Sequence, residues 1–483
     1  MKRSTKKAPR FQLVSCNAAL SEIRARIPFR YGNACLTAAP LLLAHVRIAD
    51  EDGNTASGLA ADCLPPLWFD KNPNKSYRQN VADQITAYRK AKEIYLLLGD
   101  KLQTAASLWS EAYPRVLEEA DASDLNALTA SFGSSFFERA VIDALCRLRG
   151  VGFFAALKSN LLGIDTAAIL PDRPLDVVAC RHTIGLADPL TEGEIPPDEV
   201  LDDGLPQALE TDIEFYGLRY FKVKVSGDTG ADVERLSRIA ALLNQRCREG
   251  YHISLDGNEQ YTSVDELRRL LESLKSRPYG NEFYDRILFI EQPLRRDLAL
   301  DPAVSRGIEA LSAEKPVTID ESDDRPGSFE NAIALGYRGT SHKNCKGIFR
   351  SLLNRQRIVE LNRERGENVY FQTAEDLANV SVVPLQEDLA SICALGIDHA
   401  ERNGHHYFRG LDHLPREEAE GALAAHSDLY EARQDSVFLR VVDGVIVCTS
   451  INEAVGYGYA CDIHFGERTP IDEWRYEMLG LTD

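Results

Sequence analysis

Five short apolar runs in the second half of the chain each end in a carboxylate or a lysine. They are FKVKV with Lys222 and Lys224, ISLDGN with Asp256, LFIEQP with Glu291, VTIDES with Asp320, and TSHKNC with Lys343. In an extended strand, side chains two apart share a face, so Lys222 and Lys224 point the same way. Two ammonium groups that close disfavour each other's charge, and a neighbouring divalent cation adds to the effect, so one lysine can be a neutral base near pH 7. Three acids that converge need a cation to neutralise them. Oxygen ligands of this kind favour Mg²⁺, with Mn²⁺ as the alternative. A divalent cation flanked by amine bases is equipment for pulling a proton from carbon.

Such residues must be held at one end of a parallel sheet. From about Pro174, short runs rich in Val, Ile and Leu alternate with amphipathic stretches such as DVERLSRIAALLNQRCRE and SVDELRRLLESLK, the pattern of βα units. The candidate strands are DVVACRHTI, RYFKVKV, HISLDGN, ILFIEQP, KPVTIDE, RGTSHKN, VYFQTA and a weaker one before His399. Eight units close into an α/β fold of the (β/α)₈ TIM-barrel type, whose active site lies at the C-terminal strand ends. Ahead of it, residues 11 to 62 alternate as strands, with a hairpin turn at Glu51-Asp52-Gly53-Asn54. Helical periodicity follows over Ser76 to Leu98 and Asp124 to Leu148. After Gly421 the alternation fails, and SVFLRVVDGVIVCTS reads as a hairpin turning at Asp443-Gly444. The expected organisation is an α+β capping domain over 1–125, a barrel over 126–420, and a tail over 421–483 that returns to the capping domain.

Composition narrows the function. A net charge of −19 argues against a nucleic-acid partner, which an excess of Lys and Arg on one face would hold. The basic start MKRSTKKAPR has the sign of a signal segment, but FQLVSCNAAL after it is short and broken by polar residues. No apolar run approaches the roughly 18 residues of a membrane span. The ten cysteines are scattered without a C-x-x-C pair, which predicts reduced thiols and a cytoplasmic protein. Association into a homo-oligomer is the ordinary condition of soluble enzymes.

Taken together, the barrel motifs resemble those of the enolase superfamily, specifically its muconate lactonizing enzyme-like branch within the mandelate racemase/muconate lactonizing enzyme family. The likeness extends to the N-terminal region through PFRYG at Pro28 to Gly32. It implies that Asp256, Glu291 and Asp320 hold the metal, that Lys224 is the base, and that Lys222 polarises the substrate carboxylate. Asn258 completes an Asp-x-Asn pattern and implies a secondary metal or water-orienting role, and Glu321 implies a partner behind Asp320. Lys343, ending the sixth strand across the lumen, implies a second base, with Lys346 as its rival. The chemistry implied is Mg²⁺-dependent abstraction of the proton α to a carboxylate through an enediolate intermediate.

Two opposed lysines make a racemase or epimerase of a small carboxylate, such as an amino-acid derivative or dipeptide, the first expectation. The alternatives on the same scaffold are a dehydratase, an o-succinylbenzoate synthase-like elimination or a cycloisomerase. From another class, the barrel could be a non-catalytic binding protein. Departures from the pattern are Lys346-Gly347-Ile348, where relatives carry two glycines, and the seventh strand, which ends in Gln372 and Thr373 with no histidine. That ending argues against a His–Asp base. Near the eighth strand, Glu401, Asn403, His399, His405 and His406 could bind the distal part of a substrate or form a loop held by its own hydrogen bonds. Trp68 and Phe69 could read the substrate or pack in the core.

Overall fold

The computed structural model describes residues 8–32 and 34–481. The first seven residues of the basic start lie outside that range. Two long strands, β1 (Phe11–Tyr31) and β2 (Ala34–Asp50), pair antiparallel, and β3 (Thr55–Cys63) adds to β2. The turn between β2 and β3 falls where the sequence puts it: the Asp50 carboxylate accepts from the amides of Asp52 and Asn54, and Gly53 adopts φ +81°. Helices α1 (Tyr77–Leu98) and α3 (Ala127–Arg149) cover this sheet, and α2 (Ala105–Asp121) packs on both of them. Ser76 starts α1 in a reciprocal cap with Gln79, which satisfies two otherwise orphaned amides. Helix α2 is not among the sequence expectations; Pro114 in its interior removes an amide donor and blurs the helical pattern.

Eight parallel strands then form the barrel: β4 (Val177–Ile184), β5 (Tyr220–Lys224), β6 (His252–Asp256), β7 (Ile287–Glu291), β8 (Val317–Ile319), β9 (Gly339–His342), β10 (Phe371–Ala374) and β11 (His399–Arg402). They pair in chain order from β4 to β10, and β11 closes against β4. Each expected strand is present. The weak eighth one starts at His399 rather than before it, which puts His399 at the N-terminal end of the barrel, with its ring stacked on Tyr220.

Two parts of the expected organisation differ. The boundary at residue 126 assigns α3 to the barrel, yet α3 packs along α1 and β3. Its fully buried Arg139 donates to the Ala61 carbonyl at 3.0 Å and to Glu387 at 3.1 Å, and pairs with Asp62, so it also joins the capping layer to the helix Val382–Leu395 of the barrel. The hairpin of the tail is also redistributed. β12 (Tyr430–Arg433) pairs with β13 (Ser436–Leu439), while the Asp443-Gly444 turn, with φ +51° and +73°, sends β14 (Val445–Val447) onto the barrel strand β4. β15 (Thr469–Pro470) pairs with β1, and the segment after it also lies on the capping domain, where Trp474 donates to Glu22 at 2.8 Å and Arg24 donates to the Leu479 carbonyl at 2.7 Å. The exposed amides and carbonyls of β4 beyond its pairing with β11 and β5 give β14 a ladder that a local hairpin cannot better. All ten cysteines are free. Among the described residues, no helix is long and apolar enough to cross a membrane.

Candidate functional site

Register lines up the chemistry. Lys224 stands beside Asp256, and Asp256 beside Glu291, as cross-strand neighbours at the C-terminal ends of β5, β6 and β7. Asp320 follows β8 and Lys343 follows β9. β10 and β11 lie side by side without pairing and complete a ring of eight strands, in which β9 is four steps from β5 in either direction, so Lys343 faces Lys224 across the lumen. Both line one pocket, about 400 Å³ of empty space with its open mouth included, together with Lys222, Asp256, Asn258, Asp320, Glu401 and Asn403.

Lys222 is the hub. Its Nζ lies 3.0 Å from Asp256, 2.9 Å from Glu291, 2.8 Å from Glu375 and 2.9 Å from Glu401. Burial alone would lower its pKa, but these four carboxylates override it and hold the ammonium well above its ordinary range. Lys224 donates to Asp256 at 2.5 Å. On the far side, Lys343 donates to Asp320 at 3.0 Å. Burial would raise the Asp320 carboxyl, and Lys343 and Lys346 instead hold it well below the carboxylate range.

Glu291 has the opposite fate. Burial first, then Asp256 and Glu375, push its carboxyl well above the ordinary range. Its Oε2 is buried without a hydrogen-bond partner, as are Glu321 Oε2 and Asn258 Oδ1. Buried acceptors left unpaired beside three clustered acids form an oxygen-rich, negatively charged set that fits a hard divalent cation.

The two rival lysines separate. Lys343 lines the cavity. Lys346 turns beneath Asp320, donating to its carbonyl and Oδ1, each at 3.1 Å, and to Ser341 at 2.7 Å. After it, Gly347 takes φ +99°, and a Cβ there would meet the Glu138 carboxylate at 2.7 Å, so this single glycine brings α3 against the loop. Glu138 accepts the Phe349 amide at 3.2 Å.

Other expected residues scatter. Gln372 points out of the lumen and donates to the Ser351 carbonyl at 3.3 Å. His399 lies at the opposite end of the barrel, and His405 and His406 do not line the cavity. They cluster outside the lumen with His182 and Asp212: His182 Nδ1 is 3.1 Å from His405 Nε2, and His406 Nδ1 is 3.1 Å from Asp212. Ligand atoms of His182, Asp212 and His406 fall within 4.8 Å of one another, but they are spent on this mutual network. The histidines of this stretch are thus tied to β4 and to the helix Leu209–Tyr216, while Glu401 and Asn403 of the same stretch line the cavity. Trp68 and Phe69 divide the two roles: Trp68 lines the cavity over Lys343, and Phe69 packs on Phe132.

Sequence reading missed Glu375 and Arg181. Glu375 bridges Lys222 and Arg181, the latter at 2.7 Å, and Arg181 rises from β4 to form the lumen floor over Phe289. Glu375 directly follows the seventh strand, the same signal that marks Asp256. It also missed the clamp on the capping loop: Glu259 accepts from Lys71 at 2.6 Å and from Arg296 at 2.8 Å, and Arg296 donates to the Trp68 and Phe69 carbonyls. Lys71 also reaches Glu321 at 3.2 Å.

No sequence family matches the chain, and no curated protein matches it. Solved structures do. A muconate lactonizing enzyme from Pseudomonas fluorescens, solved with muconolactone, is 16% identical, with 93% of this chain and 97% of that one covered and a TM-score of 0.56. An L-talarate/galactarate dehydratase from Salmonella typhimurium, liganded with Mg, is 16% identical over 97% and 95% at 0.54. A dipeptide epimerase from Cytophaga hutchinsonii, with Mg and D-Ala-L-Val, is 14% identical over 95% and 99% at 0.56. The fold is therefore the one these solved structures share: a (β/α)₈ barrel with an α+β capping domain.

Proposed function

We propose that the chain is a Mg²⁺-dependent enzyme of the enolase superfamily that removes the proton α to a carboxylate, and that it racemises or epimerises a small carboxylate. The observation that carries this reading is the placement of Lys224 and Lys343 four strands apart on facing walls of one cavity. Inversion at carbon requires a base on one face and an acid on the other. Asp256, Glu291 and Asp320 would hold the metal, with Asn258 and Glu321 behind them. Bound Mg²⁺ supplies Lewis-acid stabilisation of the charge that develops on the substrate's carboxylate oxygens.

Lys224, as the neutral amine, takes the α-proton. Lys343, as the ammonium, returns one to the opposite face, and the reverse reaction exchanges the roles. Lys222 stays cationic among its four carboxylates and draws the substrate carboxylate toward it. Trp68 and the loop clamped by Glu259 cover the cavity and exclude water.

One observation favours a second reading, dehydration, o-succinylbenzoate synthase-like elimination or cycloisomerisation with a single base. The Trp68 ring lies 4.0 Å from Lys343 Nζ, an arrangement that favours a permanent cation there. Proton exchange in D₂O with Mg²⁺ separates the readings, using a panel of N-acyl amino acids, dipeptides and sugar acids. Under the first, exchange disappears with EDTA; Lys224→Ala loses it for one enantiomer and Lys343→Ala for the other. Loss of both with Lys224→Ala, and retention of both with Lys343→Ala, selects single-base chemistry. No Mg²⁺-dependent exchange with any member sinks the proton-abstraction reading. The free thiols support a cytoplasmic setting, and the site calls for a small-molecule carboxylate as partner.

A further inference from the structure

The cavity has two unlike ends. Its inner end is ionic; its outer wall is made of Phe29, Tyr31, Leu36, Pro65 and Trp68 from the capping domain. Tyr31 spends its hydroxyl on the Pro66 carbonyl at 2.8 Å and presents only its ring. Phe29 is fixed by stacking on Tyr407 at 4.1 Å between centroids. Apart from the Trp68 indole N–H, these side chains give an incoming hydroxyl nothing to bond, so most hydroxyls of a polyhydroxy acid placed there would lose their water without replacement.

The carboxylates that line the cavity are all engaged. Asp256 and Asp320 hold Lys224 and Lys343. Glu401 accepts from Thr183 at 2.8 Å, Lys222 at 2.9 Å and the Asp376 amide at 3.0 Å. Asp376 accepts the amides of Leu377 at 2.8 Å, Asn379 at 3.0 Å and Asn403 at 3.1 Å. An ammonium group on the substrate would therefore find three lysines and no uncommitted carboxylate. Apart from Asn258 Oδ1, which lies among the acids that would hold the metal, the uncommitted polar group is Asn403: its side chain lines the cavity at 2% exposure, and its Oδ1 has no partner. A carboxamide pairs with a neutral amide or hydroxyl as both donor and acceptor.

Resting on the proton-abstraction reading, we infer that the substrate is a carboxylate with an apolar acyl or aryl body and one uncharged hydrogen-bonding group that meets Asn403. A free amine and a sugar acid are both excluded by the same walls.

Calorimetric titration in Mg²⁺ tests this with three probes: N-acetyl-phenylalanine, alanyl-phenylalanine and galactarate. The expected order has N-acetyl-phenylalanine binding at least about tenfold more tightly than either of the others, the scale of one mismatched polar group in a dry pocket. Asn403→Leu should weaken N-acetyl-phenylalanine by about tenfold and leave 3-phenylpropionate, which lacks the amide, unchanged. Equal or tighter binding of alanyl-phenylalanine or galactarate overturns the inference, and so does no binding of N-acetyl-phenylalanine. If the variant does not fold, the order of the three probes on the native protein decides alone. The same ligands followed in D₂O report separately on the chemistry. Absence of α-exchange in all of them refutes proton abstraction and leaves the binding order to judge the pocket.

Discussion

Lys343 Nζ lies 4.0 Å from the centroid of the Trp68 ring, so a residue of the capping loop covers the lysine that ends the sixth barrel strand. Burial would lower the Lys343 pKa, and Asp320 overrides it and holds the group above its ordinary value. The ring and the carboxylate thus grip one ammonium from two sides, one from each domain.

Replacing Trp68 by Ala should uncouple the domains at this point. The cation–π contact is worth about 0.5–2 kcal/mol and the vacated volume adds about 3 kcal/mol, so the midpoint of urea unfolding should fall clearly. Trp68→Phe should keep most of both. A Trp68→Ala protein as stable as the parent would show that the ring contributes no packing there.

Glu375→Gln should be costly although no substrate role requires that residue. It leaves Lys222 with one carboxylate fewer and Arg181 without its charged partner at 2.7 Å, both cations fully buried. Breaking a buried pair from one side costs about 3 kcal/mol, which chemical unfolding would measure. A change under about 0.5 kcal/mol, the size of ordinary surface substitutions, would mean that Arg181 and Lys222 re-pair elsewhere.

The Glu259 clamp predicts a mobile loop when it is cut. Burial would raise the Glu259 carboxyl, but Arg296 and Lys71 bring it to about 2, so the clamp stays charged across the working pH range. Glu259→Gln should free residues 67–71, seen as faster proteolysis and hydrogen exchange there, with KM raised more than kcat. Unchanged protection of that loop would remove Glu259 from its positioning role.

The histidine cluster predicts acid sensitivity. Burial pulls His182 down to about 4, against the opposing pull of Asp212, and pulls His405 well below its ordinary value, aided by His182 and His406. An unfolded histidine titrates near 6.5. The unfolded chain therefore binds more protons below pH ~6.5, and the stability these two residues contribute is present above that and lost as the pH falls through about 4. His406, raised by Asp212 against burial, has its window above pH ~6.5, where its contribution is lost as the pH rises, so it does not offset the acid loss. The melting temperature followed from pH 7 to 4 should decline, and His182→Gln should flatten the decline; an identical slope in the variant would assign the acid loss to other groups.

Much of this site is legible in the sequence. A strand's two-residue period alone puts Lys222 and Lys224 on one face, and apolar runs ending in acids mark Asp256, Glu291 and Asp320 as rim residues. The turn at Asp443-Gly444 is equally readable, because its dihedral demands are local. What that turn delivers is not: β14 joins β4, since strand pairing is a contest among all unpaired edges in the fold. Lys343 and Lys346 have the same chemistry and lie three residues apart. Only the path of the chain after β9 turns one into the cavity and the other beneath Asp320. The sequence by itself determined the barrel, its row of rim carboxylates and the paired lysines, because each follows from periodicity within a few residues. The tertiary structure alone decided the Trp68 cover over Lys343, the Lys71–Glu259–Arg296 clamp and the spent state of every carboxylate lining the cavity, because those depend on side chains far apart in sequence meeting in space.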